Sequence, residues 1–448
     1  MGALGIDFGA ILGSLPLALL LAVSLGAAVL YKFSNGAFSG SAAIVLLFMA
    51  FACLVGMLPS KNPLYDVNPG TYLAWLTVLG FTSMAIGVIV GSRPGKLGVS
   101  VDSSYEGWGA RSVAVVLWGA ATAALINYGT GDIPLLAADI NQTRLNGTDA
   151  GLLGRFWPII FPLLQLGAIS GFLPKFRTER AGPRKGGVEA WFGLLCLGLL
   201  ILSGSRSLVF IPLVAISLLQ IEKRRFGLLK IAVGVAMILV AVGVIGAARV
   251  NSVEQQNLLR ATGAEAGEGW LGSATVAIDL ALQTGPRVWA SAENRLGGER
   301  IHGDLLVGDI RNFFEPSVER SDRQVTRLIG RDPTVLGGSP PTVWGGLNLD
   351  FGALGVLLGG AGMGWVLARS RVGYLRTPSR AAALWYAYIG TYFLLSIYSY
   401  VSVRPSWLVA AGFCLFVRYA DRYSNAHSYG VEVQRVSRGS GGAYSRPV

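Results

Sequence analysis

The chain has 448 residues, 52% of them hydrophobic and 14% charged, with a mean hydropathy of +0.53. A water-soluble globular protein carries about 25% charged residues, so this composition excludes one, and the backbone must satisfy itself in lipid as helices or a closed barrel. The net charge of +12 lies in short segments between apolar runs, where it reads as membrane topology and not as nucleic-acid binding.

The apolar runs are unbroken and close to the length of a membrane-crossing helix, not the short alternating stretches of a barrel strand. The predicted fold is therefore all-α: a polytopic membrane protein with about 11 transmembrane helices and one large extracytoplasmic loop. In chain order the predicted spans are 11–30, 41–58, 71–91, 111–128, 152–174, 188–203, 206–221, 227–248, 346–368, 381–400 and 405–419. They give eight helices over 1–248, a partly helical periplasmic loop over 249–345, and three helices over 346–420. A disordered, basic cytoplasmic tail rich in Ser, Gly and Arg follows over 421–448.

Lys and Arg positions set the orientation. Asp7, not a basic residue, precedes the first apolar run, and the first cation is Lys32; a cleavable signal peptide has a basic start. With the N-terminus outside, the inner loops and tail hold 22 Lys and Arg and the short outer loops hold 5. That bias predicts N-terminus out, C-terminus in, and the long loop on the outer face. Cys53, Cys196 and Cys414 each fall inside an apolar run, without disulfide or metal spacing.

Charged residues cluster at the outer span ends. Arg206 stands in SGSRSLVF between two apolar spans. It reads either as a snorkelling Arg at a helix end or as a fixed positive charge for a lipid phosphate, with Ser203, Gly204, Ser205 and Ser207 leaving room for the headgroup. Arg144 and Arg155 flank the fifth span, Arg249 ends the eighth, and Arg404 precedes Pro405 in the last outer turn. They are five unrelated boundary residues or a ring of guanidinium groups, whose planar fork suits diphosphate.

The long loop carries ten Arg and no Lys, including Arg287 and Arg311, but also twelve acids, so it is not a simple anion trap. Asp304, Asp309, Glu315 and Glu319 are candidate general bases for a sugar hydroxyl, beside the alternative of solvated loop acids. His302, one of only two His, is a further candidate base. HExxH, CxxC, paired DxD and a phosphate-cradling glycine loop are all missing, which argues against a metal-dependent glycosyltransferase or an ATPase. The charges of the spans lie at their ends, apart from Asp350 near the start of the ninth span.

Three stretches carry a family resemblance: GTGDIPLLAADINQTRLNG (129–147), SGSRSLVFIPLV (203–214) and GGSPPTVWGGLNLDFGALGVLLGG (337–360). With the long outer loop they resemble the O-antigen polymerases, the Wzy-type oligosaccharide repeat-unit polymerases of the glycosyltransferase C superfamily, over 129–368. The resemblance implies a metal-independent enzyme of the bacterial inner membrane without a cofactor. It would join undecaprenyl-diphosphate-linked oligosaccharides, with a chain-length regulator protein as a partner. Carried onto this sequence, it implies Arg206, Arg311, Glu315 and His302 as catalytic residues. Arg144, Arg155, Arg249, Arg287 and Arg404 are then the substrate-binding residues.

The sister family of O-antigen ligases keeps a His where the long loop returns to the membrane. Here that place reads Gly338-Ser339-Pro340-Pro341-Thr342, which favours polymerase over ligase. A flippase or other transporter, the reading from another class, should place charges at mid-membrane depth in broken helices.

Overall fold

The computed structural model describes residues 14–33, 41–58, 67–92, 108–137, 153–173, 187–224, 269–333, 338–376, 379–398, 400 and 404–420. The predicted span 227–248, the tail 421–448, Arg144 and Arg249 lie outside the described residues, as do Asp7 and most of the basic loops.

The fold is all-helical, and no strand occurs among the described residues. The helices are α1 (Leu15–Phe33), α2 (Ser41–Met57), α3 (Thr71–Gly91), α4 (Trp108–Thr130), α5 (Trp157–Gly171), α6 (Gly187–Leu202) and α7 (Arg206–Arg224). They continue as α8 (Gly269–Leu296), α9 (Asp304–Phe314), α10 (Ser321–Leu328), α11 (Val343–Arg376), α12 (Arg380–Leu395) and α13 (Pro405–Ala420). Among the described residues, α3, α4 and α11 are long and apolar enough to cross a membrane, and α1, α2, α5, α6, α7 and α13 contain shorter apolar helices.

The helices meet through small residues. α3 and α11 form the most extensive helix pair. A Cβ on Gly87 would run into the Ala361 carbonyl, and one on Gly364 into the Met84 carbonyl. At the head of the same seam the Trp344 indole lies over Gly80 and meets Phe81 edge-on at 5.2 Å. Such contact lets two backbones approach without relying on a hydrophobic driving force that lipid does not supply. Two polar side chains that enter the bundle are held by main-chain carbonyls: the Tyr128 hydroxyl donates to Leu199 at 3.0 Å, and Gln165 donates to Leu208 at 3.3 Å. Large apolar side chains point outward, among them Trp75 and Ile86 on α3, Trp191 on α6, and Leu354, Leu358 and Trp365 on α11. An apolar outer face on this scale is one that water does not wet well.

Two features depart from the simple pattern of apolar spans joined by polar loops. The first is α8. It lies in the stretch expected as an outer loop, yet Gln283 and residues 285–290 are buried, including Arg287 and Trp289. It packs on α2 and α11: Gly56 faces the Leu282 carbonyl and Pro286, while Gly285 faces Thr342 and the Ile397 carbonyl. Asp279, Gln283, Arg287 and Glu293 break up its hydropathy, which hides a core helix from an apolar-run search.

The second is α11. Its helical hydrogen bonding runs on from the predicted start of the ninth span, but Gly352 has φ 68° and ψ −159°. α11 is thus two helices joined at a break, and only glycine adopts that backbone conformation cheaply. The short head of α11 carries Asn348 and Asp350, both fully buried.

Candidate functional site

The polar groups of the bundle gather where the head of α11, the end of α8 and the turn between α12 and α13 meet the cap, residues 297–333 with α9 and α10. Three carboxylates tie the cap to the helices beneath it.

Asp350 is the innermost. Its carboxylate accepts the backbone amides of Gly303 (3.2 Å) and Leu305 (3.2 Å) at Oδ1, and Leu306 (2.9 Å) and the Tyr400 hydroxyl (2.8 Å) at Oδ2. All four partners are donors, which is the environment an acceptor-only carboxylate requires. The amides belong to the first turn of α9, whose N–H groups have no partners within the helix and whose dipole favours negative charge. Two backbone bonds reinforce the joint: Ile301 N–H to the Leu349 carbonyl at 2.9 Å and His302 N–H to the Asp350 carbonyl at 3.1 Å. The chain leading into α9 is thereby laid against the last turn before the Gly352 break. Each hydrogen bond to a charged group is worth about 1.5–3 kcal/mol.

The geometry has a local cost. His302 has φ 58° and is the sole non-glycine residue with positive φ among the described residues; Gly303 follows at φ 96°. For an L-residue the left-handed conformation costs about 1–2 kcal/mol. The His302 side chain is nevertheless exposed.

Glu293, near the end of α8, holds the adjoining corner. It accepts both Arg300 Nη1 at 3.0 Å and Asn348 Nδ2 at 2.7 Å. Arg300 thus lies beside the Gly352 break, with its Nε the nearest atom to where a Cβ would stand.

Asp309 closes the far side. It accepts the Ser321 amide at 3.0 Å and Arg404 Nε at 2.9 Å, while the Ser321 hydroxyl donates to the Leu305 carbonyl at 2.6 Å. Burial opposes the charge on Arg404, but Tyr392, Asp309 and Asp322 outweigh it and raise its pKa. The guanidinium is a permanent cation, 28% exposed as a side chain. Tyr392 and Trp407 pack edge to face beside it at 4.5 Å.

The residues expected to carry chemistry are distributed unevenly over this junction. Arg404 and His302 are both in it. Asp309 is tied to Ser321 and Arg404, which is an orienting role and not that of a free base. Arg311 lies on the outer side of α9, half-exposed and paired with Asp304 at 3.2 Å; an ion pair this open to solvent contributes little to stability. Glu315 ends α9, is exposed, and accepts the Ser317 hydroxyl at 3.1 Å. Arg287 is buried in α8, in the layer where Gly285 touches Thr342 and Ile397. Arg206 is the first residue of α7, and Arg155 lies in the short 3-10 turn Gly154–Phe156; the description does not extend to either side chain.

Asp350, Tyr400, Glu293, Arg300 and Asn348 were not among the expected site residues. The available signal was Asp350 itself, a lone acid inside an apolar stretch, where an ionisable residue is a functional candidate by default. Among the described residues no three His, Cys, Asp or Glu side chains gather in a way that could hold a metal ion.

No family model matches this sequence, and neither a curated protein nor a solved structure matches it significantly.

Proposed function

We propose that this protein is a glycosyltransferase of the bacterial inner membrane. In this reading it polymerises undecaprenyl-diphosphate-linked oligosaccharide repeat units into a surface polysaccharide on the outer face. The same reading gives it eleven spans, and the Lys and Arg bias supports an outer N-terminus and an inner C-terminus. Beside the O-antigen polymerase resemblance, the observation that carries the reading is the cap–bundle junction. There a permanently charged arginine, Arg404, and an exposed His302 are held at one junction by the carboxylate of Asp309 and the backbone of Asp350.

The chemistry is a displacement at the anomeric carbon. The bond from C1 of the growing chain to the diphosphate oxygen breaks, and a bond from C1 to a hydroxyl oxygen of the incoming repeat unit forms. The hydroxyl proton passes to a base, His302 or Glu315, and the diphosphate leaves on its undecaprenyl carrier. Negative charge develops on the leaving diphosphate, and preset guanidinium groups at that position lower the barrier. Arg206, Arg144 and Arg404 are assigned to that charge. Arg155 and Arg249 hold the substrates, and Arg311 adds charge from the cap; Arg287, expected to bind substrate, is instead buried in α8. A chain-length regulator protein is a partner that suits this activity, without being required for the linkage step.

The test is polysaccharide chain length in a strain lacking the gene. Cells are expected to accumulate single repeat units on the lipid carrier and to regain long chains with the wild-type gene, but not with Arg206→Ala at equal protein level. Wild-type chain lengths in the Arg206→Ala strain remove that residue from the site. Unchanged chain lengths in the deletion strain defeat the polymerase reading.

One observation favours ligase-type transfer to a different acceptor. His302 is distant in sequence from the 338–342 return, yet its backbone is bonded to Asp350 in the head of α11. The outer cap can therefore supply a His beside the returning helix. Loss of attachment to the final acceptor, with chain length intact, would select that alternative. Trapping of the repeat unit on the cytoplasmic face would select a flippase.

A further inference from the structure

We infer that Asp350 is a positioning residue: it latches the cap onto the helical bundle and fixes the His302 backbone in its strained, outward-facing conformation. What the latch does for turnover rests on the glycosyl-transfer reading above; the latch itself rests on geometry alone.

Three observations converge on it. Asp350 gathers donors from two separate elements, three amides of the α9 start and the Tyr400 hydroxyl from the α12–α13 turn. Its own main-chain carbonyl accepts His302 N–H, so one residue grips the cap segment from both its main chain and its side chain. The left-handed His302–Gly303 pair on the cap and the Gly352 break on the helix flank this grip, and the Phe351 ring lies beneath Gly303. A histidine in the left-handed region would relax if it were not held, and strain of this kind persists only where the surroundings over-determine it. The other two carboxylates do not act on His302 directly. Glu293 holds Arg300 and Asn348, and Asp309 holds α10 and Arg404.

Asp350 is therefore not a base for the reaction. It is buried with 0% exposure, its oxygens are occupied by donors, and it acts through the residue it holds. Replacement by Asn turns one acceptor oxygen into a donor that faces backbone N–H groups, so the isosteric change opens the latch with little loss of volume.

The test is amide hydrogen exchange of the full-length protein in lipid nanodiscs, comparing wild type, Asp350→Asn and Tyr400→Phe. In Asp350→Asn, exchange at residues 301–306 should rise by on the order of tenfold or more, with α3 and the part of α11 after Gly352 unchanged. Tyr400→Phe, which leaves the three amides in place, should give a smaller rise at the same residues. Unchanged exchange at 301–306 in Asp350→Asn overturns the latch, and so does an equal rise throughout α3 and α11. If Asp350→Asn does not fold, Tyr400→Phe decides the question, and no rise at 301–306 overturns the proposal.

A kinetic arm separates this claim from the activity it serves. With lipid-linked repeat units as substrate, Asp350→Asn should lower kcat with little change in KM. The double variant with His302→Ala should be no slower than His302→Ala alone. Additive losses would show that Asp350 does not act through His302. A fully active His302→Ala would instead defeat the role given to His302 in the reaction, while the exchange result still decides the latch.

Discussion

At the scale of single residues, the junction shows how a membrane-embedded bundle retains polar groups. Asp350, Glu293 and Asp309 are satisfied by donors from different elements: the Asp350 carboxylate holds Gly303 next to His302, Glu293 holds Arg300 and Asp309 holds Arg404. His302 isolates function from stability. Glycine adopts φ 58° without strain, so His302→Gly should raise the thermal unfolding midpoint in detergent. The change corresponds to about 1 kcal/mol, the size of the left-handed penalty it removes. If the imidazole serves the reaction, the same variant loses chain extension. A lowered midpoint would mean that the His302 side chain makes a stabilising contact.

At the scale of elements, the helices followed hydropathy closely where their residues are uniformly apolar. The expected 41–58 and 71–91 correspond to Ser41–Met57 and Thr71–Gly91, and 206–221 to α7. Hydropathy failed at α8 because Gln283, Arg287 and Glu293 interrupt the pattern while glycine and tryptophan pack it. It also failed at Gly352, which nothing distinguishes among 61 glycines until the backbone is seen.

Local charge count did not reveal the buried pair at the other end of α11. Arg371 donates through Nε and Nη2 to Glu222 Oε1 at 3.0 and 2.7 Å, joining α11 to α7, with the Tyr386 hydroxyl of α12 on the second oxygen at 3.4 Å. In the sequence Arg371 and Glu222 each stand just past the end of a predicted span. Removing one partner of a buried pair strands the other, which costs about 3–5 kcal/mol. Glu222→Leu should therefore destabilise the protein strongly in a detergent melt, and adding Arg371→Met should recover much of the loss. Equal midpoints for all three proteins would show that the pair contributes nothing.

At the scale of the whole molecule, the apolar outer surface was legible from composition, and the all-helical class from the unbroken apolar runs. The cap's architecture was not. Asp309 and Arg404 meet across 95 residues of chain, and Gly303 and Asp350 across 47. Long-range pairing of this kind leaves no local pattern to read. The orientation inferred from Lys and Arg can be checked directly at the exposed Ser317. In a background with Cys53, Cys196 and Cys414 replaced by Ala, Ser317→Cys should react with a membrane-impermeant maleimide in intact spheroplasts. Labelling only after the cells are broken would invert the topology and place the cap opposite the lipid-linked substrate.

The central claim is that this chain by itself joins lipid-linked repeat units. The measurement is in vitro: the purified protein in nanodiscs is given the repeat-unit lipid extracted from the deletion strain, without nucleotide sugar, and the glycans are sized. A ladder of multiples of the repeat unit, with release of undecaprenyl diphosphate in step with each linkage, is the predicted result. A substrate that remains a single repeat unit in the presence of folded protein would contradict the account.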